Sequence, residues 1–110
     1  MNQWTTICKH QELSENSGVC VLFEEQQVAV FYCKRSAALY AVSNFDPIAQ
    51  ANVISRGIMG STQEQTYVAS PLYKQRFDLN TGICLDSPEF ALKTFSVRVE
   101  AEQVQLKKAG

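Results

Sequence analysis

Five side chains in the 110-residue chain have the chemistry to bind a soft metal or act as a strong nucleophile: the four cysteines Cys8, Cys20, Cys33 and Cys84, and the single histidine His10. No two cysteines form a C-x-x-C pair, so the zinc-ribbon and thioredoxin-like spacings are absent. One histidine excludes a two-His iron site, a His-rich zinc site and H-E-x-x-H within this chain. Cys8-Lys9-His10 reads C-x-H, half of a metal motif, with no second histidine to complete it. Strand residues two apart share a face, so a Cys8–His10 nucleophile pair is geometrically open. No carboxylate is indicated to orient it, and the plainer expectation is a surface His10 at the end of a first strand. Cys20 and Cys33 lie inside apolar runs and Cys8 in a strand-like stretch, which predicts buried thiols behaving as small hydrophobes. Cys84 follows a turn and is expected to be more exposed, with no adjacent His or Arg to activate it. A disulfide framework is not expected, because Met1-Asn2-Gln3-Trp4 lacks the pattern of an export signal and the apolar fraction of 45% can build a core.

The elements that must carry these residues show a period of two, which predicts an all-β domain. A first strand is expected over residues 4–8, then a polar connector over 12–18 with one helical turn. Strands over 19–24 and 27–34, separated by a Glu-Glu-Gln turn, read as a hairpin. In the second of them Val28, Val30 and Tyr32 point one way and Ala29, Phe31 and Cys33 the other. Apolar residues on both faces imply a strand covered on both sides. A further strand opens over 37–43. Residues 44–56 break the pattern: Pro47 prevents a regular central strand, and 49–55 suit a short helix. Gly57 and Gly60 bracket a short strand at Ile58-Met59. Short strands follow over 66–70 and 76–79, the second closed by an Asn80-Thr81-Gly82 turn. Phe95, Val97 and Val99 alternate with polar residues before a turn at Ala101-Glu102, predicting a last hairpin with one wet face. Lys107-Lys108-Ala109-Gly110 is expected to fray.

Length matches one domain, since single cores usually run to ~100–150 residues. Charged residues make up 19% and the formal net charge is -1. That balance lacks the basic footprint of a nucleic-acid binder. The longest apolar runs, over 19–23, 28–33 and 37–42, fall far short of the ~18–20 residues that cross a bilayer, so no membrane partner is expected.

Residues 39–85 add a more specific pattern. Leu39-Tyr40-Ala41-Val42-Ser43-Asn44, Asp46-Pro47, Tyr67-Val68-Ala69-Ser70-Pro71-Leu72-Tyr73 and Arg76-Phe77-Asp78-Leu79-Asn80-Thr81-Gly82 together resemble a Rieske ferredoxin domain. Such domains carry C-P-H in a first loop and C-P-x-H in a second, followed by a Phe-Asp-Leu-x-Thr-Gly strand and turn. The resemblance implies a Rieske-like antiparallel β-sandwich or partial barrel with a small loop subdomain. Residues 1–110 would form one domain, with 43–82 corresponding to the cluster-binding part. A Rieske centre needs two Cys thiolates on one iron and two His imidazoles on the other. At those four positions this chain has Asp46, Ile48, Ser70 and Tyr73. Ile48 has no donor atom, and the other three offer hard oxygens in place of soft thiolates. The expectation is a chain that binds no cluster or other metal and has no catalytic residues of its own.

A narrower branch is similar almost end to end, through Gln3-Trp4, Ile7-Cys8-Lys9, Gly18-Val19-Cys20, Val28-Ala29-Val30-Phe31, Ser43-Asn44-Phe45-Asp46-Pro47, Val53-Ile54-Ser55-Arg56-Gly57 and Val68-Ala69-Ser70-Pro71-Leu72-Tyr73-Lys74-Gln75-Arg76-Phe77. These segments resemble the small subunits of NADH-dependent nitrite reductases. The resemblance implies a cytoplasmic partner for a large catalytic subunit that carries FAD, an iron–sulfur cluster and sirohaem and reduces nitrite to ammonium. Two other readings stay open. One is a soluble Rieske-type electron-transfer ferredoxin. The other is a free-standing enzyme using Cys84 or Cys8, for which the chain offers no nucleophile–base–orienter set.

Without a cluster, the two loops must be held some other way. Ile48, Leu72 and Tyr73 are expected to fill the space with apolar volume, and Asp46 to bond backbone N–H groups of its own loop, as Asx residues do. The functional expectation is that Pro71, Leu72, Tyr73, Lys74 and Arg76 form a docking surface for the large subunit, an apolar centre flanked by cations. Lys74, Arg76 and Arg56 also suggest a small anion site, although no Gly-rich phosphate cradle accompanies them.

Overall fold

The computed structural model describes residues 3–108. Its elements run β1 (Thr5–Lys9), a 3-10 turn (His10–Glu12), β2 (Gly18–Phe23), β3 (Gln26–Cys33), β4 (Ala38–Ser43), β5 (Phe45–Asp46), β6 (Ala51–Asn52), a second 3-10 turn (Ile54–Arg56), β7 (Ile58–Ser61), β8 (Thr66–Ala69), β9 (Arg76–Asp78), β10 (Thr94–Glu100) and β11 (Gln103–Lys108). Six strands form one antiparallel sheet in the order β1-β11-β10-β4-β3-β2. Its outer strands β1 and β2 come into contact, so the sheet is nearly a closed barrel. Strands β7, β8 and β9 form a separate antiparallel sheet, and β5 and β6 a two-stranded ribbon.

β3 explains how the parts stay together. Its period of two sends Val28 and Val30 into the barrel interior with Leu13, Phe23, Ala41, Phe95, Val104 and Leu106. Ala29 and Phe31 go to the opposite face, where Val42, Ile54, Val68, Phe77, Leu79, Cys84 and Leu92 complete a second core under the three-stranded sheet. One strand thus serves two cores, as its unbroken apolar run anticipates. Each fully buried aliphatic or aromatic side chain contributes about 1.5–3 kcal/mol of transfer free energy, so the second core anchors β7–β9 and the loops they carry.

Two of the three long hairpins, β2–β3 and β10–β11, close with two residues at positive φ, Glu24 and Glu25 at 49° and 64°, Ala101 and Glu102 at 52° and 65°. Left-handed conformations at both central positions match the twist of antiparallel strands. The first turn is therefore Glu24-Glu25, and Gln26 already pairs with Phe23.

Residues 49–55 are not the expected short helix. β6 and the 3-10 turn occupy them. Asn44 is the cause: it is buried, its backbone carbonyl accepts the Ile54 N–H at 3.1 Å, and its Oδ1 accepts the Ser55 N–H at 2.6 Å. Donors that a helix would direct to carbonyls four residues back are bound to the end of β4 instead. At the carboxy end, Lys107 and Lys108 belong to β11 rather than a frayed tail, while Ala109 and Gly110 lie outside the described residues.

Candidate functional site

The two loops that match the Rieske ligand loops meet at one end of the three-stranded sheet. The first follows β4 and contains Asp46, Pro47 and Ile48. The second joins β8 to β9 and contains Ser70 to Gln75. Asp46 and Ser70 are each only 1% exposed. The Ser70 hydroxyl donates to Asp46 Oδ2 at 2.6 Å. Asp46 Oδ1 accepts the N–H of Ile48 at 2.8 Å and of Ala49 at 3.1 Å. The expected Asx bonding is present, and both carboxylate oxygens are engaged. Ser70 Oγ also accepts the Leu72 N–H at 3.4 Å, and its carbonyl accepts the Lys74 N–H at 2.9 Å. Lys74 has a φ of 64°, so the second loop turns back sharply before β9.

Direct contact between Asp46 and Ser70 corrects the expectation that Leu72 and Tyr73 fill vacated space. Only Ile48 packs partly against the core. Leu72 is 52% and Tyr73 62% exposed. The short polar link joins the loops directly, and the two large side chains lie at the surface instead. Pro71 is half-buried and Lys74 exposed beside them. Phe45, immediately before Asp46, and Ile58, at the start of β7, are further exposed apolar residues that the sequence reading did not single out. The available signal was an aromatic inside the polar run Ser43-Asn44-Phe45-Asp46.

Arg76 is placed differently from Lys74 and Arg56. Its guanidinium forks onto Asp86, with Nη2 to Oδ1 at 2.8 Å and Nε to Oδ2 at 3.2 Å, and its backbone N–H also donates to Oδ2 at 2.8 Å. The pairing holds the Asp86 carboxyl below the usual carboxylate range and raises the Arg76 pKa. The guanidinium also lies 5.6 Å from the Tyr67 ring centre. Arg76 is therefore committed within the chain, while Lys74 and Arg56 are exposed. The structure does not assemble the three into a free cationic cradle. Asp86, ten residues from its partner in a loop, carried no sequence signal.

The thiols also depart from expectation. Cys84 is fully buried in the second core, and Cys20 is exposed on the outer strand β2. Cys20 shares the outward face of β2 with Leu22, where neither core reaches, so an apolar run does not guarantee burial there. Cys8 and Cys33 are half-buried. Burial, with a smaller contribution from Glu12, pushes the Cys8 thiol pKa up, whereas hydrogen bonds from Ser36 lower that of Cys33. His10 lies in the 3-10 turn, its ring edge-on to Tyr32 at 4.9 Å. A buried Cys84 cannot meet a substrate.

Among the described residues, no group of three or more His, Cys, Asp or Glu side chains is placed to hold a metal ion. The tip does not fit a [2Fe-2S] cluster: Ile48 has no donor atom, and the Asp46 carboxylate already accepts three hydrogen bonds. Thiolate sulfur, which such clusters require, is absent from all four positions.

Residues 3–107 match the Rieske-like [2Fe-2S] domain. The chain belongs to the Rieske-like family. Within it, the chain is 41% identical over 107 residues to the nitrite reductase (NADH) small subunit of Escherichia coli K12, covering 97% of this chain and 99% of that protein. The NMR structure of the Escherichia coli protein NirD superposes with a TM-score of 0.89 at 40% identity, covering 100% of both chains. A third relative differs in architecture. A nitrite reductase [NAD(P)H] large subunit from Klebsiella oxytoca is 36% identical over 101 residues, which span 92% of this chain but 10% of that protein. This Rieske-like chain is thus a member of the nitrite reductase small-subunit branch, and a segment homologous to it also occurs inside a large subunit. Among the described residues no helix is long and apolar enough to cross a membrane.

Proposed function

We propose that the chain is the cluster-free, non-catalytic small subunit of an NADH-dependent nitrite reductase, docking on the large catalytic subunit in the cytoplasm. FAD, an iron–sulfur cluster and sirohaem, and with them the reduction of nitrite to ammonium, belong in this reading to the large subunit. The carrying observation is the exposed Leu72–Tyr73 pair, presented on a loop whose base is locked by Ser70 and Asp46. An aromatic and an aliphatic side chain on a rigid support form the centre of an interface. Pro71 and Lys74 flank them, and Arg76 anchors the end of the loop through Asp86. The Klebsiella oxytoca large subunit supports the pairing, because its homologous segment is covalently joined to the rest of that protein.

Charged side chains at the centre of an apolar contact are strongly unfavourable. A Leu72→Asp, Tyr73→Asp variant is expected to fold as the parent does and to lose at least about tenfold in affinity for the large subunit. Full co-purification and full nitrite turnover by the folded variant would remove the docking role. The electron-transfer ferredoxin alternative calls for stoichiometric iron and acid-labile sulfide in anaerobically purified protein. The saturated Asp46 carboxylate and donorless Ile48 weigh against it.

A further inference from the structure

We propose that Asp46 and Ser70 are positioning residues, a hydrogen-bonded clasp that joins the two tip loops and sets the large-subunit affinity of Leu72 and Tyr73. The docking part of this inference rests on the function proposed above. The clasp itself rests on geometry. Asp46 and Ser70 are 24 residues apart in sequence, both are buried, and their side chains meet at 2.6 Å. Each also organises its own loop. Asp46 Oδ1 takes the Ile48 and Ala49 amides, and Ser70 Oγ takes the Leu72 amide. The Ser70 backbone adds two ties, its carbonyl to the Lys74 N–H and its N–H to the Gln75 carbonyl, each at 2.9 Å. Local order in both loops therefore converges on one pair of side chains.

The family pattern gives the clasp a chemical meaning. Positions 46 and 70 match the cysteines of C-P-H and C-P-x-H, two thiolates that bind the same iron. In this chain the two loops are joined at those positions by a proton between two oxygens. Such a link is redox-inert, so the tip keeps one shape whatever the oxidation state around it. The benefit to binding is preorganisation: a loop already held in its bound form loses less conformational freedom on docking.

The fold itself does not depend on the clasp, because two apolar cores lie outside it. That separation makes the proposal testable in the full-length chain with its large subunit. Ser70→Ala removes the hydroxyl and leaves Asp46 Oδ2 without its donor, a loss that typically changes an opening equilibrium by about tenfold. Amide exchange at Ile48, Ala49 and Leu72 is expected to quicken about tenfold, with the Val30 amide in β3 unchanged, and large-subunit affinity to fall by a similar factor. Asp46→Asn keeps the Oδ1 acceptor and can donate an amide N–H to Ser70 Oγ. That reversal leaves the buried Ser70 hydroxyl proton without its carboxylate acceptor, so Asp46→Asn is also expected to quicken exchange at the same amides and to weaken binding, each by up to about tenfold. Unchanged exchange in Ser70→Ala overturns the clasp. Quickened exchange with unchanged affinity overturns its role in docking, provided that Leu72→Asp, Tyr73→Asp abolishes binding. If that double variant still binds, the docking function fails instead, and the exchange arm still decides the clasp.

Discussion

Arg76 and Asp86 form a forked ion pair at the foot of the second tip loop, and Asp86 also accepts the Arg76 backbone N–H at 2.8 Å. Three bonds to one carboxylate fix both the side chain and the start of β9. The pair is substantially exposed, and exposed pairs contribute little to stability. Its signature is pH dependence. Arg76 holds the folded-state pKa of Asp86 below its ordinary value. The stabilisation is therefore present above the unfolded carboxyl pKa of ~3.9 and is lost as pH falls through the lower folded value. Asp86→Asn is expected to melt slightly below the parent near neutral pH. The gap should close in strong acid. Melting curves collected across the acid range test this, and a gap independent of pH would assign the effect to packing.

Three of the four thiols, Cys8, Cys33 and Cys84, should separate by reactivity. The thiolate is the reactive form, and hydrogen bonds from Ser36 favour it at Cys33 while burial and Glu12 disfavour it at Cys8. Alkylation of the native protein near neutral pH is expected to label Cys33 ahead of Cys8. Cys84, buried in the second core, should react only after denaturation. Ser36→Ala should slow Cys33 selectively. Peptide mapping by mass spectrometry reads the order directly, and early labelling of Cys84 would contradict the packing of that core.

The parts of the fold that were legible in sequence are those governed by local periodicity. Alternation along β3 shows two covered faces, and alternation along the last hairpin shows one. The misreadings have a common physical source in long-range contacts. Residues 49–55 have helix-compatible side chains, but Asn44 takes two of their backbone donors. Cys20 sits in an apolar run, yet it lies on the outward face of β2, and which stretch of that face the second core covers is not encoded within the strand. At the tip, the sequence showed that iron ligands were missing and that Asp46 would bond its own loop. It did not show that Ser70 would reach Asp46, because that bond depends on two loops brought together by the second core.

The Ala101-Glu102 turn stores conformational strain. Both residues have positive φ, at 52° and 65°, where a Cβ costs roughly 1–2 kcal/mol per residue. Asn-Gly is the preferred pair for this turn type. Ala101→Asn, Glu102→Gly is expected to stabilise the chain by about 1 kcal/mol after allowing for the added freedom of glycine in the unfolded state. Urea denaturation should show a higher midpoint with an unchanged slope. A lower midpoint would mean that the Glu102 side chain contributes contacts worth more than the relieved strain.

Restoring the four ligand types tests whether the side chains alone separate this tip from a cluster site. Asp46 and Ser70 touch across the loops, so cysteines at these positions would face each other as two ligands of one iron must. Tyr73 is exposed, and a histidine there displaces no core packing. Ile48 is the costly position, since it packs against the second core and an imidazole there needs a polar partner, which the cluster would supply. An Asp46→Cys, Ile48→His, Ser70→Cys, Tyr73→His variant, reconstituted anaerobically with ferrous iron and sulfide, is expected to acquire visible absorbance and acid-labile sulfide that the parent does not. The two cysteine substitutions alone should not suffice, because the second iron would lack its imidazoles. Before iron is added, the quadruple variant should be less stable than the parent by about 1–3 kcal/mol from the unpaired imidazole at position 48. It should recover stability on binding, as a site absent from the unfolded chain couples metal affinity to folding. Failure of a folded quadruple variant to take up iron would mean that the loops, and not only their side chains, have diverged from cluster-binding geometry.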